Sequence, residues 1–509
     1  MSIVNRVIKN TVYLYSRMAV SIVFSFFTTR ILLQALGVSD YGLYNVIAGS
    51  LAMLGFLSAS MSSTTQRFIS YVEGEGDLDK IKEIFNNSVF LHNRIALIVV
   101  LLFTLGGFVF FNGLLNIPEG RMYVAIAVYV CMIISTTYSI IIVPYDAILN
   151  AHENMKYYSI LGILDVLAKF IIALLVLYCQ CLDQLLLYGL LMAFEARIYQ
   201  LLTKRYCIAN YNEVRELKKK YVNKSILKKM TFFAGWNMLN ISTGMICLYG
   251  MNIAINHFFG TKLNAAMGIA SQLAGVMMGV STNMTKALTP VLVKSEGGHE
   301  RDKMIQLSLI GCKYSYLLFS FFSIPVIFCL KPLLVFWLKD VPEWTDLFCL
   351  LLLISTLIEQ LFVFLYHSIN AQGEVKNYNI VRSILNILPI IIMTIEFSLG
   401  FPPYYALINW ILFKAIFGGG INLLFANKNF SFPLFKFVID VLFPCLLATL
   451  LTGFICYLIR PGDSDTTFLV FTRLVSMLLL SLPIYWSFAF SKDERNMFKN
   501  FAKAFKNRI

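Results

Sequence analysis

Long apolar runs constrain this chain more than any other feature of its sequence. Hydrophobic residues make up 58% of the 509 residues and charged residues only 14%, whereas soluble proteins carry about 25% charged residues. A water-soluble fold of this length could not bury so much apolar surface. The sequence therefore predicts an all-α polytopic membrane protein, and the net charge of +14 points to loops that face anionic lipid rather than to nucleic acid.

A membrane-spanning helix needs about 20 mostly apolar residues, and this length predicts fourteen spans. They form a group of six, a second group of six and a terminal pair. Their predicted positions are 11–33, 42–65, 90–112, 122–143, 157–179, 184–203, 231–256, 263–285, 305–330, 345–366, 378–400, 404–425, 437–458 and 467–490. We accordingly expect an N-terminal lobe at 1–205, a basic linker at 206–230, a C-terminal lobe at 231–426, and a terminal pair with a basic amphipathic tail at 427–509.

The distribution of lysine and arginine predicts the orientation of these spans. With the N-terminus in the cytoplasm, cytoplasmic segments hold 28 of these residues and the opposite side holds 5. Such an excess is typical of cytoplasmic loops. We therefore expect both termini in the cytoplasm, with the basic linker and the tail close to anionic lipid headgroups.

A twelve-residue stretch recurs at an offset of 220 residues. Residues 149–160 read LNAHENMKYYSI and residues 369–380 read INAQGEVKNYNI, with five identities. Each stretch lies between the fourth and fifth span of its group of six. This position predicts two lobes that are parallel repeats, related by a pseudo-two-fold axis along the membrane normal. Parallel repeats of this kind are typical of transporters, although a duplication without transport remains an alternative.

Ionisable and polar side chains within the spans are the candidate functional residues, because burying them in lipid is costly. The first span carries Arg17 and Ser21 on one polar stripe, and the eighth carries Gln272, Asn283 and Lys286 on another. Together with Arg197 and Lys313, these are the candidate substrate-binding residues. The candidate ion-coupling residues are Asp165, Glu195 and Glu359, although Asp165 could instead form an intrahelical ion pair with Lys169.

No arrangement of residues competes with transport as an activity. The five histidines are scattered, no Walker A motif occurs, and the cysteines form no metal-binding pattern. We therefore expect no enzyme activity, no metal and no cofactor. Because cations outnumber anions among the residues within spans, the sequence favours an anionic substrate.

Three short motifs carry a resemblance to a known family: LGVSDYGLY at 36–44, TQRFISY at 65–71 and PYDAI at 144–148. They resemble motifs of the polysaccharide-exporting branch of the multidrug/oligosaccharidyl-lipid/polysaccharide (MOP) exporter superfamily, the Wzx-type flippases of O-antigen and capsule repeat units. The resemblance covers essentially the whole chain. It implies a MATE/MOP-like fold, with Arg17 matching, by its depth, the arginine of the first helix in lipid-linked exporters.

The resemblance also implies a function. Such proteins move undecaprenyl-pyrophosphate-linked oligosaccharides across the bacterial inner membrane by alternating access coupled to an ion gradient, for lipopolysaccharide or other polysaccharide biosynthesis. The implied partners are the lipid-linked substrate, anionic lipids, a polysaccharide polymerase and glycosyltransferases. A multidrug or organic-cation antiporter of the same superfamily is the alternative, for which we expect twelve spans and an anionic lumen. A membrane polymerase is a third alternative. The short predicted outer loops argue against it, because such polymerases typically need a sizeable extracytoplasmic loop.

Overall fold

A computed structural model of the chain describes residues 3–52, 55–111, 117, 120–179, 182–215, 217, 221–338, 341–462, 466–492 and 494–496. Helices dominate, and no strand occurs within these ranges. The prediction of an all-α polytopic fold is confirmed. Most of the predicted amphipathic tail lies outside the described residues, as do Lys218, Lys219 and Lys220 of the basic linker.

The helices follow one another along the chain in three groups. The first group comprises α1 (Ile3–Ala52), α2 (Gly55–Glu75), α3 (Leu78–Val109), α4 (Met122–Ala151), α5 (Met155–Tyr178) and α6 (Gln184–Asn210). The second comprises α7 (Lys224–Phe259), α8 (Thr261–Gly297), α9 (Arg301–Phe328), α10 (Leu330–Leu338), α11 (Thr345–Gln360), α12 (Val363–Gln372) and α13 (Lys376–Ser398). The last comprises α14 (Tyr405–Trp410), α15 (Gly418–Phe430), α16 (Leu434–Phe437), α17 (Phe443–Leu458) and α18 (Thr467–Ile484).

Twelve helices of the described chain are long and apolar enough to span a membrane. α11 and α12 together are also long and apolar enough to span a membrane, but they are bent by 45° at Leu361 and Phe362, as in a broken span or a re-entrant loop. The span predicted at 42–65 crosses residues 53–54, which lie outside the described ranges. α1 continues past the predicted first span and kinks at Gly37, where φ is 74°. A glycine fits this position because side chains disfavour positive φ.

The chain divides into two compact units, and the boundary falls inside α7. One unit holds residues Arg6–Met238 and Gly297–His299. The other holds Leu239–Glu296 and Glu300–Ile509, together with Met1–Asn5. We call these units the N-terminal lobe and the C-terminal lobe. The lobe and linker boundaries predicted from the sequence remain predictions.

In the N-terminal lobe, α4 and α6 form the most extensive helix pair. In the C-terminal lobe, α9 is the central helix, with 67% of its apolar window buried against 22–39% in the other spans. Small residues permit this burial. A Cβ at Gly311 would lie 2.5 Å from the Phe364 ring, and Ser308 and Ser315 are fully buried. Small side chains let helix backbones approach closely where lipid offers no hydrophobic driving force.

The repeated sequence forms the same helix–turn–helix in each lobe. α4 ends at Ala151 and α12 ends at Gln372, and the next helix begins within four residues in both cases. Glu153 and Gly373 are equivalent at the offset of 220, and both adopt positive φ, 54° and 96°. A shared left-handed residue at the same register supports the interpretation of this stretch as a structural repeat.

His152 joins three elements of the N-terminal lobe just beyond the end of α4. Its Nδ1 lies 3.1 Å from Glu73 of α2, and its Nε2 lies 2.5 Å from Glu213 in the segment after α6. The imidazole also stacks on Tyr211 at 4.5 Å. Burial lowers the pKa of His152, but the hydrogen bonds to Glu213 and Glu73 outweigh it and raise the pKa to about 9.

This arrangement predicts that the folded protein loses stability at alkaline pH. A folded-state pKa of about 9, above the ordinary 6.5, gives stabilisation that is fully present below pH 6.5 and is lost as the pH rises through 9. We expect a loss of about 3 kcal/mol over that window. Thermal unfolding of the purified protein measures it, with His152→Gln as the comparison. The variant should show a flatter pH dependence, and an identical pH profile for both proteins would contradict the assignment.

Candidate functional site

Arg17 packs against α5, where a glycine leaves space for its side chain and an aromatic ring contacts its guanidinium. Its guanidinium lies 4.7 Å from the ring centre of Tyr158. A Cβ at Gly162, one turn further along α5, would overlap Arg17 Nε, so only glycine leaves room for the side chain. Within the described ranges no carboxylate forms an ion pair with Arg17. The cation–π contact stabilises this charge, and the Asp165 carboxylate interacts with it electrostatically without forming an ion pair.

Asp165, Lys169 and Glu195 form a second polar cluster in the same lobe. Lys169 Nζ lies 2.8 Å from Asp165 Oδ1, which is the intrahelical pair that the spacing of four residues permits. Glu195 on α6 is 8% exposed and lies close enough to Asp165 and Lys169 to interact with both electrostatically. The cluster therefore places two carboxyl groups beside one ammonium group, within a span where such groups are costly to bury.

The other N-terminal candidates lie apart from this cluster or beside Arg17. Arg197 is exposed and its guanidinium lies 5.0 Å from the ring centre of Tyr138 on α4. It also donates a hydrogen bond to Gln200. Ser21 lies one turn from Arg17 along α1 and is partly exposed.

The candidates on α8 form a polar stripe that is exposed or partly exposed along the helix. Gln272 and Lys286 are exposed, and Asn283 is partly exposed. A Cβ at Gly275 would meet no other atom of the described chain within 4 Å. Because polar side chains are costly against lipid, a stripe of this kind favours contact with water or a polar ligand.

Lys313 is not the isolated cation that its sequence context indicates. Its Nζ lies 2.7 Å from Glu494 Oε2, and its side chain is 7% exposed. Tyr314 donates a second hydrogen bond to Glu494 at 3.3 Å. Lys313 therefore anchors the segment after α18 to α9, and a buried, paired ammonium does not serve as an open binding group. The sequence separation of 181 residues hid this partner.

Glu359 lines a cavity of about 250 Å³ inside the C-terminal lobe. Its Oε1 accepts a hydrogen bond from Ser355 at 3.3 Å. Arg382 and Lys414 line the same cavity. Lys414 belongs to a π-helical stretch, Ile411–Phe417, that continues α14 into α15. π-helical turns are frequent at functional sites.

The sequence did not predict that Gly162 and Tyr158 would surround Arg17. Gly162 offers no chemical signal, because its role is the absence of a side chain. Tyr158 did carry a signal, since it is one of the five identities of the repeat and is equivalent to Tyr378. The motif residue Asp40 was likewise unexplained. In the structure it forms an ion pair with Arg121, which also binds Asp183 at the start of α6.

The close packing of Arg17 against Gly162 yields a prediction about stability. Gly162→Ala places a Cβ where Arg17 Nε lies and forces the guanidinium to move, at a cost of about 1–3 kcal/mol. Gly235→Ala on α7 is the matched control, because no described atom lies within 4 Å of its Cβ. Thermal unfolding should show a lower midpoint for Gly162→Ala alone. Equal unfolding midpoints for the two variants would contradict the close packing of Arg17 against Gly162.

Comparisons with known proteins place the fold. No protein-family model and no curated protein sequence matches the chain. Among solved structures, a mutant MATE protein superposes with a TM-score of 0.70 at 12% identity, over 83% of this chain and 96% of its own. A multidrug resistance MATE family transporter of the MOP superfamily, in its outward-facing conformation, gives 0.69 at 12% identity with the same coverage.

A third neighbour differs in the description of its pocket. It is a MOP superfamily transporter from Pyrococcus furiosus, described by a reverse polarity of its binding pocket that suggests a different function. It superposes with a TM-score of 0.69 at 12% identity, over 83% of this chain and 96% of its own. The chain therefore has the fold of the MATE transporters of the MOP superfamily.

Proposed function

We propose that this protein is a flippase that moves undecaprenyl-pyrophosphate-linked oligosaccharide repeat units across the bacterial inner membrane. Its product would serve O-antigen, capsular or exopolysaccharide biosynthesis. The observation that carries the proposal is Arg17, a guanidinium within a membrane-spanning helix that stacks on Tyr158 and forms no ion pair within the described residues. A cation at this depth without an ion pair favours an anionic substrate, and a guanidinium binds phosphate groups bidentately.

The exposed stripe on α8 supports the same substrate class. Lys286 supplies a second cation, and Gln272 and Asn283 supply the hydrogen-bonding groups that sugar hydroxyls require. In the proposed mechanism, Arg17 binds the pyrophosphate, and alternating access carries the substrate across the membrane. Asp165 and Glu195, two carboxyl groups within the spans of the N-terminal lobe, would couple the cycle to an ion gradient.

The solved neighbours give further support. One of them is described by a reversed pocket polarity, so this fold accommodates pockets of different charge. The described chain also continues beyond the two predicted six-helix groups into α16, α17 and α18. Additional helices of this kind are what the lipid-linked branch implies.

The location and partners belong to the proposal as well. The protein would lie in the inner membrane with both termini in the cytoplasm and its basic linker against anionic lipid. A polysaccharide polymerase and glycosyltransferases would consume and supply the lipid-linked glycan. The protein itself would carry out no covalent chemistry.

A multidrug or organic-cation antiporter is the second candidate. The neighbours described as MATE transporters favour it, and so does the carboxyl pair of Asp165 and Glu195, which could attract a cation. Twelve long apolar helices and one bent pair in the described chain do not separate the two candidates by number alone.

Reconstitution into vesicles separates them. We expect the purified protein to flip a fluorescent undecaprenyl-pyrophosphate oligosaccharide and not to transport ethidium. Arg17→Gln should slow flipping about 10- to 100-fold, since a hydrogen bond to a charged group contributes about 1.5–3 kcal/mol. Arg94→Gln is the matched control, because Arg94 is exposed and lies over Phe90 of its own helix.

Two outcomes contradict the proposal. Transport of ethidium without flipping would assign the protein to the antiporters. Equal flipping by wild type and Arg17→Gln, at equal amounts of folded protein, would remove Arg17 from the substrate site.

The proposed orientation has its own test. A cysteine placed at Glu343 should react with a membrane-impermeant thiol reagent in intact cells, whereas one at Lys219 should react only after permeabilisation. The parent protein carries Cys179→Ser and Cys181→Ser, because Cys179 is not buried and Cys181 belongs to the same predicted outer loop. The reverse labelling pattern would invert the topology.

A further inference from the structure

The cavity at Glu359 in the C-terminal lobe is built from irregular helical segments. The bend between α11 and α12 opens the backbone at Phe362, whose carbonyl accepts a hydrogen bond from Asn422 at 3.2 Å. The π-helical stretch carrying Lys414 forms another wall. Broken and irregular helices in a membrane protein are tolerated where they line a cavity, and in transporters they mark binding sites.

The charges that line this cavity do not cancel. Arg382 and Lys414 provide two positive charges, and Glu359 provides one carboxyl group. Among the residues that the structure describes, neither cation forms an ion pair. Lys414 Nζ instead lies 4.0 Å from the ring centre of Trp410, and Glu359 accepts a hydrogen bond from Ser355. The cavity thus carries one surplus positive charge, which a monovalent anion would balance.

Two buried polar atoms at this cavity lack partners within the described chain. Arg382 Nη1, a donor, and Gln360 Oε1, an acceptor, are buried without a hydrogen bond, and Gln360 is only 3% exposed. Buried polar groups in native proteins are nearly always satisfied. These two atoms are satisfied by a water molecule or by a ligand that accepts one hydrogen bond and donates another.

The position of the guanidinium is fixed by a glycine. A Cβ at Gly418 would overlap Arg382 Nη1, so α15 approaches Arg382 at a residue without a side chain. Tyr378 and Asn422 are occupied by each other, because the Tyr378 hydroxyl donates to Asn422 Oδ1 at 2.8 Å. These contacts hold the walls in place and leave Arg382, Lys414 and Gln360 as the groups available to a ligand.

From this geometry we propose that the C-terminal lobe contains a binding site for a small hydroxylated carboxylate, which is the chemistry of a sugar acid. Arg382 binds the carboxylate through its planar fork, Lys414 balances the charge, and Gln360 accepts a hydrogen bond from a neighbouring hydroxyl. The volume of about 250 Å³ lies below the roughly 300 Å³ at which pockets for drug-sized ligands begin. One sugar acid suits this space, and a lipid-linked oligosaccharide does not.

Binding of glucuronate to the full-length protein in lipid nanodiscs tests the site by calorimetry, without any transport assay. We expect glucuronate to bind and glucose to bind at least about tenfold more weakly, because a charge-assisted hydrogen bond contributes on that scale. Arg382→Gln and Lys414→Gln should each weaken glucuronate binding to a similar extent, whereas Lys428→Gln, an exposed lysine at the end of α15, should leave it nearly unchanged. Gly418→Ala, which displaces the guanidinium, should reproduce the loss if Arg382→Gln fails to fold.

The methyl glycoside of glucuronate distinguishes the two sources of such a ligand. Binding of the glycoside supports an acidic residue within a glycan, and binding of free glucuronate alone supports a small metabolite. No binding of either compound, equal binding of glucose, or undiminished binding in both Arg382→Gln and Lys414→Gln would overturn the proposal. Because the assay measures binding and not flipping, its failure leaves the proposed flippase function untouched.

Discussion

The cost of placing charge inside apolar helices determines how this protein is organised. Several ionisable side chains within its spans are stabilised in one of three ways. Asp165 with Lys169 and Lys313 with Glu494 form ion pairs, Arg17 stacks on an aromatic ring, and Arg382 lies in a polar cavity. Because lipid provides no solvation, a charge that keeps its sign requires an environment built for it. The charges without counter-ions are therefore the ones that point to function.

Each lobe builds such an environment from the same structural element. The repeated helix–turn–helix places Tyr158 on α5 and Tyr378 on α13, and each tyrosine lies close to an arginine. The arginine comes from a different place in each lobe. Arg17 is supplied by α1 and rests on Gly162, whereas Arg382 occupies the position equivalent to Gly162 itself and rests on Gly418. The duplicated fold has thus kept a tyrosine–arginine neighbourhood while changing the helix that contributes the charge.

Much of the fold was predictable because spans and loops leave local signals. Apolar runs of about 20 residues indicated the helix positions, and the i,i+4 spacing of Asp165 and Lys169 indicated their ion pair. Contacts between distant segments left no such signal, as with Lys313 and Glu494. The close packing of arginines against Gly162 and Gly418 is equally hard to predict. A glycine in a sequence does not reveal which side chain will occupy the space beside it. The π-helical stretch around Lys414 arises from backbone packing, which periodicity does not record.

The proposed function depends most on Arg17. A structure of the protein with a bound undecaprenyl-pyrophosphate oligosaccharide tests directly whether Arg17 binds the pyrophosphate. We predict that a pyrophosphate oxygen lies within about 3 Å of the Arg17 guanidinium, the distance of a charge-assisted hydrogen bond. Density for the pyrophosphate at a site remote from Arg17, with the guanidinium still stacked on Tyr158 and touching no ligand atom, would contradict the account.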